Sequence, residues 1–174
     1  DEKHPSQQCA GLRDQEAVYL EWKNINLNRA VMRIRENPTY GFKVKDSEAR
    51  DLPIPAGLLA HLKADRQARP GRTLVTGTKT DQPDTKLLRT LKGLVNDAGL
   101  ACGVCKGCVE QDECRDWFLH KFRATCITTL LRAGMDVRTV MKFSGHSDLA
   151  SVMRYLAPAS DDVIRQQIAA IRWY

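Results

Sequence analysis

The chain has 174 residues, 43% of them hydrophobic and 28% charged, which supports one folded domain and excludes wholesale disorder. Its net charge of +6 favours an anionic partner, nucleic acid before others. Aromatic residues make up only 6%, which argues against a base-stacking single-strand platform. No run reaches the roughly 18 apolar residues of a membrane span, and no signal peptide is visible.

Residues 1–10 are polar and without periodicity, and read as a loose arm. The first residue is Asp1 rather than Met, and the chain reads as an internal piece of something longer. Residues 14–22 have helical spacing. Three β-rich runs follow, Ala30–Arg35, Tyr40–Lys45 and Ala49–Ile54, separated by Asn37-Pro38 and Asp46-Ser47; they predict a small antiparallel three-stranded sheet. Pro55-Ala56 opens a helix to about Gln67. Thr73–Thr76 reads as a short extended piece. Asp84 or Thr85 caps a helix to about Ala98, stopped by Gly99. Further helices are predicted over 120–133, closed by Gly134, over 136–143, capped by Asp136 and closed by Gly145, over 148–156 and over 161–172. The fold class is α+β and mostly helical.

Cys102, Cys105, Cys108 and Cys114 fall within 13 residues as C-x2-C-x2-C-x5-C. Clustered C-x2-C pairs read as thiolate ligands of a metal in a reducing cytoplasm rather than as a disulfide scaffold. Four thiolates close a tetrahedral site and leave no position for a reacting water, so the expected ion is a structural Zn²⁺ held by a loop at 101–116.

The stretch Leu119–Leu156 carries the chemistry. His120 and Arg123 share one face at the start of a helix. Gly145-His146 forms a turn, and Tyr155 follows nine residues after His146. A phenol has an ordinary pKa near 10 and is a poor nucleophile unless cations stabilise the phenolate. Arginine forks match a phosphate bidentately. Phenol, guanidinium and imidazole together suit attack on a phosphodiester.

This pattern strongly resembles the tyrosine recombinases, the phage-integrase family. The family's H-x-x-R, G-H and nucleophilic Tyr are His120-Lys121-Phe122-Arg123, Gly145-His146 and Tyr155. Its G-L-R-x-x-E box is Gly11-Leu12-Arg13-Asp14-Gln15-Glu16. Its hairpin Lys, ahead of a V-P-L-P-like run, matches Lys45 before Arg50-Asp51-Leu52-Pro53-Ile54-Pro55, with Lys43 as the competitor in a shifted register. The resemblance covers residues 11–172. Two departures, the polar residues before Gly11 and the missing N-terminal DNA-clamping domain, point to a truncated catalytic domain.

The resemblance implies a mechanism and partners. Tyr155 would attack the scissile phosphate and form a 3′-phosphotyrosyl link. Arg13 and Arg123 would hold its oxygens. Lys45 would be the general acid for the 5′-oxygen. His120 would exchange a proton with Tyr155, and His146 would hydrogen-bond the phosphate. Glu16 would orient Arg13. No metal would be needed for catalysis, since the arginines neutralise charge. The partner would be double-stranded DNA, bound as a homotetramer through the 161–172 helix, with a monomer allowed in its absence. The competing classes are a zinc-stapled DNA-binding module without activity and a type IB topoisomerase-like enzyme.

Overall fold

The computed structural model describes residues 10–44, 49–111, 113–156, 165 and 168–170. In chain order these form α1 (Asp14–Val18), β1 (Ile25–Asn26), β2 (Val31–Ile34), β3 (Arg50–Pro53), α2 (Ala56–Ala68), α3 (Leu87–Asp97), α4 (Lys106–Gln111), α5 (His120–Arg132), α6 (Val137–Ser144) and α7 (Leu149–Met153). The fold is α+β, with one antiparallel sheet in the order β1-β2-β3 among the described residues. None of their helices is long and apolar enough to cross a membrane.

The sheet departs from the sequence reading in one strand. Met32 pairs with Ile25 on one side and Leu52 on the other, so the third strand is 25–26 and not the run Tyr40–Lys45. Pro38–Tyr40 is instead a 3-10 turn ended by Gly41 at φ 66°. Phe42 closes it by a single bridge to Asn37. The aromatic alternation there serves packing: Tyr40 and Phe42 stack on Tyr19 at 5.9 and 5.2 Å. The stretch 45–48 lies outside the described residues.

Helix α1 is also shorter than its periodicity predicts. Beyond Val18 the backbone leaves the helix to pair with the extended piece near Thr73, through Trp22 N–H to Thr73 O (2.8 Å) and Val75 N–H to Leu20 O (2.9 Å). A long-range pairing thus overrides local helical phase. Helix α3 starts at Leu87 rather than 84 or 85, and Asp84 caps the preceding turn by accepting from Lys86 N–H at 2.9 Å. The 101–116 loop contains a short helix, α4. Ala10, assigned to the loose arm, is buried.

The buried apolar residues form two clusters among the described residues. One joins the sheet to α2, with Met32, Ile34, Leu52, Leu58 and Leu62 at its centre and Leu12, Ala17 and Trp22 around them. The other joins α5, α6 and α7 through Ile127, Val140 and Val152. Asp136 accepts from Thr139 N–H and Asp148 from Ser151 N–H, each at 3.0 Å, so both C-terminal helices start at side-chain caps. Most of the predicted 161–172 helix lies outside the described residues.

Candidate active site

Gly11 must be glycine: its φ is +60°, and a Cβ there would stand 3.2 Å from both Cys126 Sγ and a Phe143 ring carbon. This close approach brings the Gly11–Glu16 box onto α5 and α6. Glu16 then accepts from Arg13 N–H (2.9 Å) and from Arg13 Nη1 (3.2 Å).

The other side of Glu16 is taken by Arg50, whose Nη1 and Nη2 donate to the two carboxylate oxygens at 2.9 and 2.7 Å. Both residues are buried. Burial alone pushes the Glu16 carboxyl up; the hydrogen bonds and charge of Arg50, then Arg13, outweigh it and hold the group below its ordinary value. Arg50 is the structural residue that sequence reasoning passed over, treating it only as the marker for Lys45. The signal was present. Along β3 burial alternates, with Arg50 and Leu52 inward and Asp51 and Pro53 outward, so strand period alone sends a guanidinium into the core, where it needs a partner.

Three arginines converge on the last carbonyls of α6 and its cap. Arg50 Nε donates to Phe143 O at 3.0 Å. Arg123 Nη2 donates to Ser144 O at 2.5 Å. Arg13 Nη2 donates to Gly145 O. Cations at the negative end of a helix satisfy carbonyls that have no partner within it. Gly145 itself is left-handed, and a Cβ on it would meet Arg50 Nη1 at 2.9 Å. Arg123 is also anchored to Gly11 O at 2.6 Å. Burial first, then the charges of Arg13 and Arg50, lower its pKa to about 10, with Glu16 opposing; it stays protonated at neutral pH.

The cleft above this platform has a volume of about 450 Å³ and is lined by Arg13, Lys43, His120, Arg123, His146, Arg154 and Tyr155. His120 Nε2 lies 3.3 Å from the Tyr155 hydroxyl. His146 Nε2 lies 3.3 Å from Arg123 Nη2. Tyr155 sits two residues past the end of α7, not within a helix running to 156; the turn holds it through Tyr155 N–H to Val152 O at 2.9 Å. Asp14, which the sequence reading did not single out, also lines the cleft. Burial raises its carboxyl pKa, against the opposing charges of His120 and Arg123. Five of the six residues assigned to catalysis from the sequence therefore meet in one cleft. The sixth, Lys45, lies outside the described residues, while its competitor Lys43 lines the cleft.

A match to the model of the phage integrase family extends over residues 7–161, nearly the whole chain. The chain belongs to the phage integrase family. Among curated relatives, this integrase-family chain is 29% identical over 156 residues to a putative integrase/recombinase, y4qK, of Sinorhizobium fredii, covering 89% of the chain and 45% of that protein. It is 26% identical over 148 residues to the tyrosine recombinase XerA of Thermococcus kodakarensis, covering 84% of the chain and 46% of that protein. The chain spans about half the length of the curated relatives it matches. Its fold is that of the Tn1549 transposon integrase in complex with circular intermediate DNA (TM-score 0.72, 20% identity, 93% of this chain and 56% of that one). The XerA recombinase crystal structure superposes similarly (TM-score 0.69, 18% identity, 96% and 55%).

The four cysteines form a separate cluster. Their sulfur atoms all lie within 4.8 Å of one another, with Cys102–Cys108 at 3.7 Å and Cys105–Cys108 at 3.5 Å. Backbone N–H groups point at the sulfurs: Cys105 N to Cys102 at 3.4 Å, Arg115 N to Cys105 at 3.2 Å, and Cys102 N to Cys114 at 3.5 Å. The N–H groups of Arg115 and then Cys108 pull the Cys105 thiol down to about 6. The cluster is tied to the body by Lys92–Glu113 at 3.1 Å and by Trp117 Nε1 to Leu100 O at 3.0 Å.

Proposed function

We propose that this chain is the catalytic part of a site-specific recombinase that cleaves and rejoins double-stranded DNA through a 3′-phosphotyrosyl intermediate. The observation that carries the reading is the Tyr155 hydroxyl at 3.3 Å from His120 Nε2, in the same cleft as Arg13 and Arg123. Tyr155 Oη attacks the phosphorus and its proton passes to His120 Nε2. The bond to the 5′-oxygen breaks, and Lys45 supplies that oxygen's proton. Arg13 and Arg123 stabilise the charge gathering on the non-bridging oxygens. Their bonds to α6 carbonyls fix them beforehand, so little reorganisation is needed at the moment of reaction. His146 contacts the phosphate. The recombining assembly is a homotetramer on DNA, in line with the family resemblance.

The cysteine cluster suits a structural Zn²⁺. Four thiolates at about 2.3 Å from a tetrahedral ion require sulfur separations in the range seen here, and N–H groups aimed at the sulfurs stabilise their charge. Cys102, Cys105, Cys108 and Cys114 would hold the ion, which fixes the segment leading into His120.

Incubation with nicked or half-site duplex DNA, followed by a denaturing gel, tests the reading. A covalent protein–DNA band is the expected result. Salt-sensitive binding with no band under any substrate geometry would favour a DNA-binding module without activity.

A further inference from the structure

Ser144 is the last residue of α6 and is completely buried. Its hydroxyl lies 2.6 Å from Val140 O and 2.7 Å from His146 Nδ1. Across the imidazole, Nε2 stands 3.3 Å from Arg123 Nη2.

Donor counting fixes the hydrogens. A guanidinium only donates, so His146 Nε2 accepts. A neutral imidazole then carries its hydrogen on Nδ1, which donates to Ser144 Oγ. The single hydroxyl hydrogen of Ser144 goes to Val140 O, which can only accept. Every donor in the chain Arg123–His146–Ser144–Val140 meets an acceptor in this arrangement. The opposite tautomer would set Nε2–H against the N–H of Arg123.

The surroundings agree that the ring is neutral. Burial first, then Arg123 from α5 and Arg13 from the box before α1, lower the His146 pKa to about 4. His120 adds to this, and Asp148, past the Gly145 turn, opposes it.

We propose that Ser144 is a positioning residue: it pins the hydrogen of His146 on Nδ1, so that the nitrogen facing the cleft is a lone pair held against Arg123. The proposal rests on reading His146 as a phosphate contact and deepens it. With Nε2 held as an acceptor against Arg123, His146 cannot donate to an anion. A phosphate oxygen that displaces Arg123 from Nε2 needs a hydrogen there, and its negative charge offsets the two arginines that add to burial in keeping the ring neutral. One proton from solvent then binds Nε2 while Nδ1–H stays on Ser144. Phosphate docking therefore takes up one proton at His146 and weakens as pH rises.

The test is nitrogen-15 NMR of the histidine rings in the 174-residue chain, with the His146 signals assigned by their loss in His146→Gln. The wild type should show neutral His146 as the Nδ1–H tautomer at pH 7. Ser144→Ala should lower the ratio of Nδ1–H to Nε2–H about five- to tenfold, the worth of one hydrogen bond, and Ser144→Thr should retain it. A wild-type Nε2–H tautomer, or an unchanged ratio in Ser144→Ala, would overturn the proposal. Should Ser144→Ala not fold, Ser144→Cys, close in shape but a much weaker acceptor, carries the same ratio test. Titration with inorganic phosphate at pH 6 should convert His146 to the doubly protonated form. If phosphate leaves its shifts unmoved while the tautomer is as stated, the phosphate-contact reading fails and the Ser144 assignment stands.

Discussion

The cleft and the cysteine cluster solve the same problem, holding several reactive groups close together, in opposite ways. The cleft draws on residues far apart in sequence. Glu16 and Arg50 are 34 positions apart, and Arg123 and Gly11 are 112 apart. Its cations are held by a buried carboxylate and by carbonyls at the end of α6, all supplied by the protein. The cysteine cluster draws on 13 consecutive residues and, in the proposed reading, on an ion from outside. The first arrangement lasts only as long as the whole fold does. In that reading the second depends on metal supply.

The largest expected break is on the metal side. Cys105→Ser, or chelation, removes an interaction of the order of 10 kcal/mol. About one zinc per chain should be found in protein purified without chelator and lost in the variant, with a clearly lower melting temperature. Elemental analysis without zinc, or an unchanged melting temperature, would remove the metal from the account.

Next comes Glu16→Gln, which leaves Arg50 buried without its anion and should cost about 3–5 kcal/mol in urea unfolding at pH 7. The pH dependence has a definite sign. Glu16 has its folded pKa below the ordinary carboxyl value of 4.5. Its contribution is therefore complete above that value and is lost as pH falls through the depressed one. The gap between wild type and variant should close toward acid, and a gap that stays constant from pH 7 to 3 would contradict the ion pair.

Arg123→Lys should lower cleavage about 10²–10³-fold, the usual cost of losing one oriented donor set, while most DNA binding remains. A lysine keeps the charge but not the fork that spans Gly11 O and Ser144 O. Near-wild-type cleavage would exclude a role in the transition state.

The smallest break sharpens the local side of the contrast. A Cβ at Gly107 would lie 2.0 Å from Glu113 O. Gly107→Ala should thus open the α4 turn at about 1–3 kcal/mol. It should weaken zinc retention in a competition with chelator and leave the core's unfolding little changed.

Much of this was legible in the chain itself, because helix phase and motif spacing are local. His120 and Arg123 share a face at i, i+3, and Asp136 announces the start of α6. The Cys spacing is local too. What the sequence concealed was set by distant contacts. Residues 19–22 left their helix to pair near Thr73, and Tyr40 and Phe42 stack their rings on Tyr19. Ser144 carries no signal as a lone serine near a helix end; its meaning comes only from the imidazole that the left-handed Gly145 turns onto it. Arg50 was readable from strand alternation, but as a buried charge in need of a partner rather than as a neighbour of catalysis.

The central claim is that the platform of arginines aims a phosphodiester at Tyr155. Its most direct test is mass-spectrometric mapping of the protein–DNA adduct formed with half-site DNA. The expected result is an adduct on Tyr155 that disappears in Tyr155→Phe, with salt-sensitive DNA binding retained. An adduct on another residue, or one that persists in Tyr155→Phe, would contradict it.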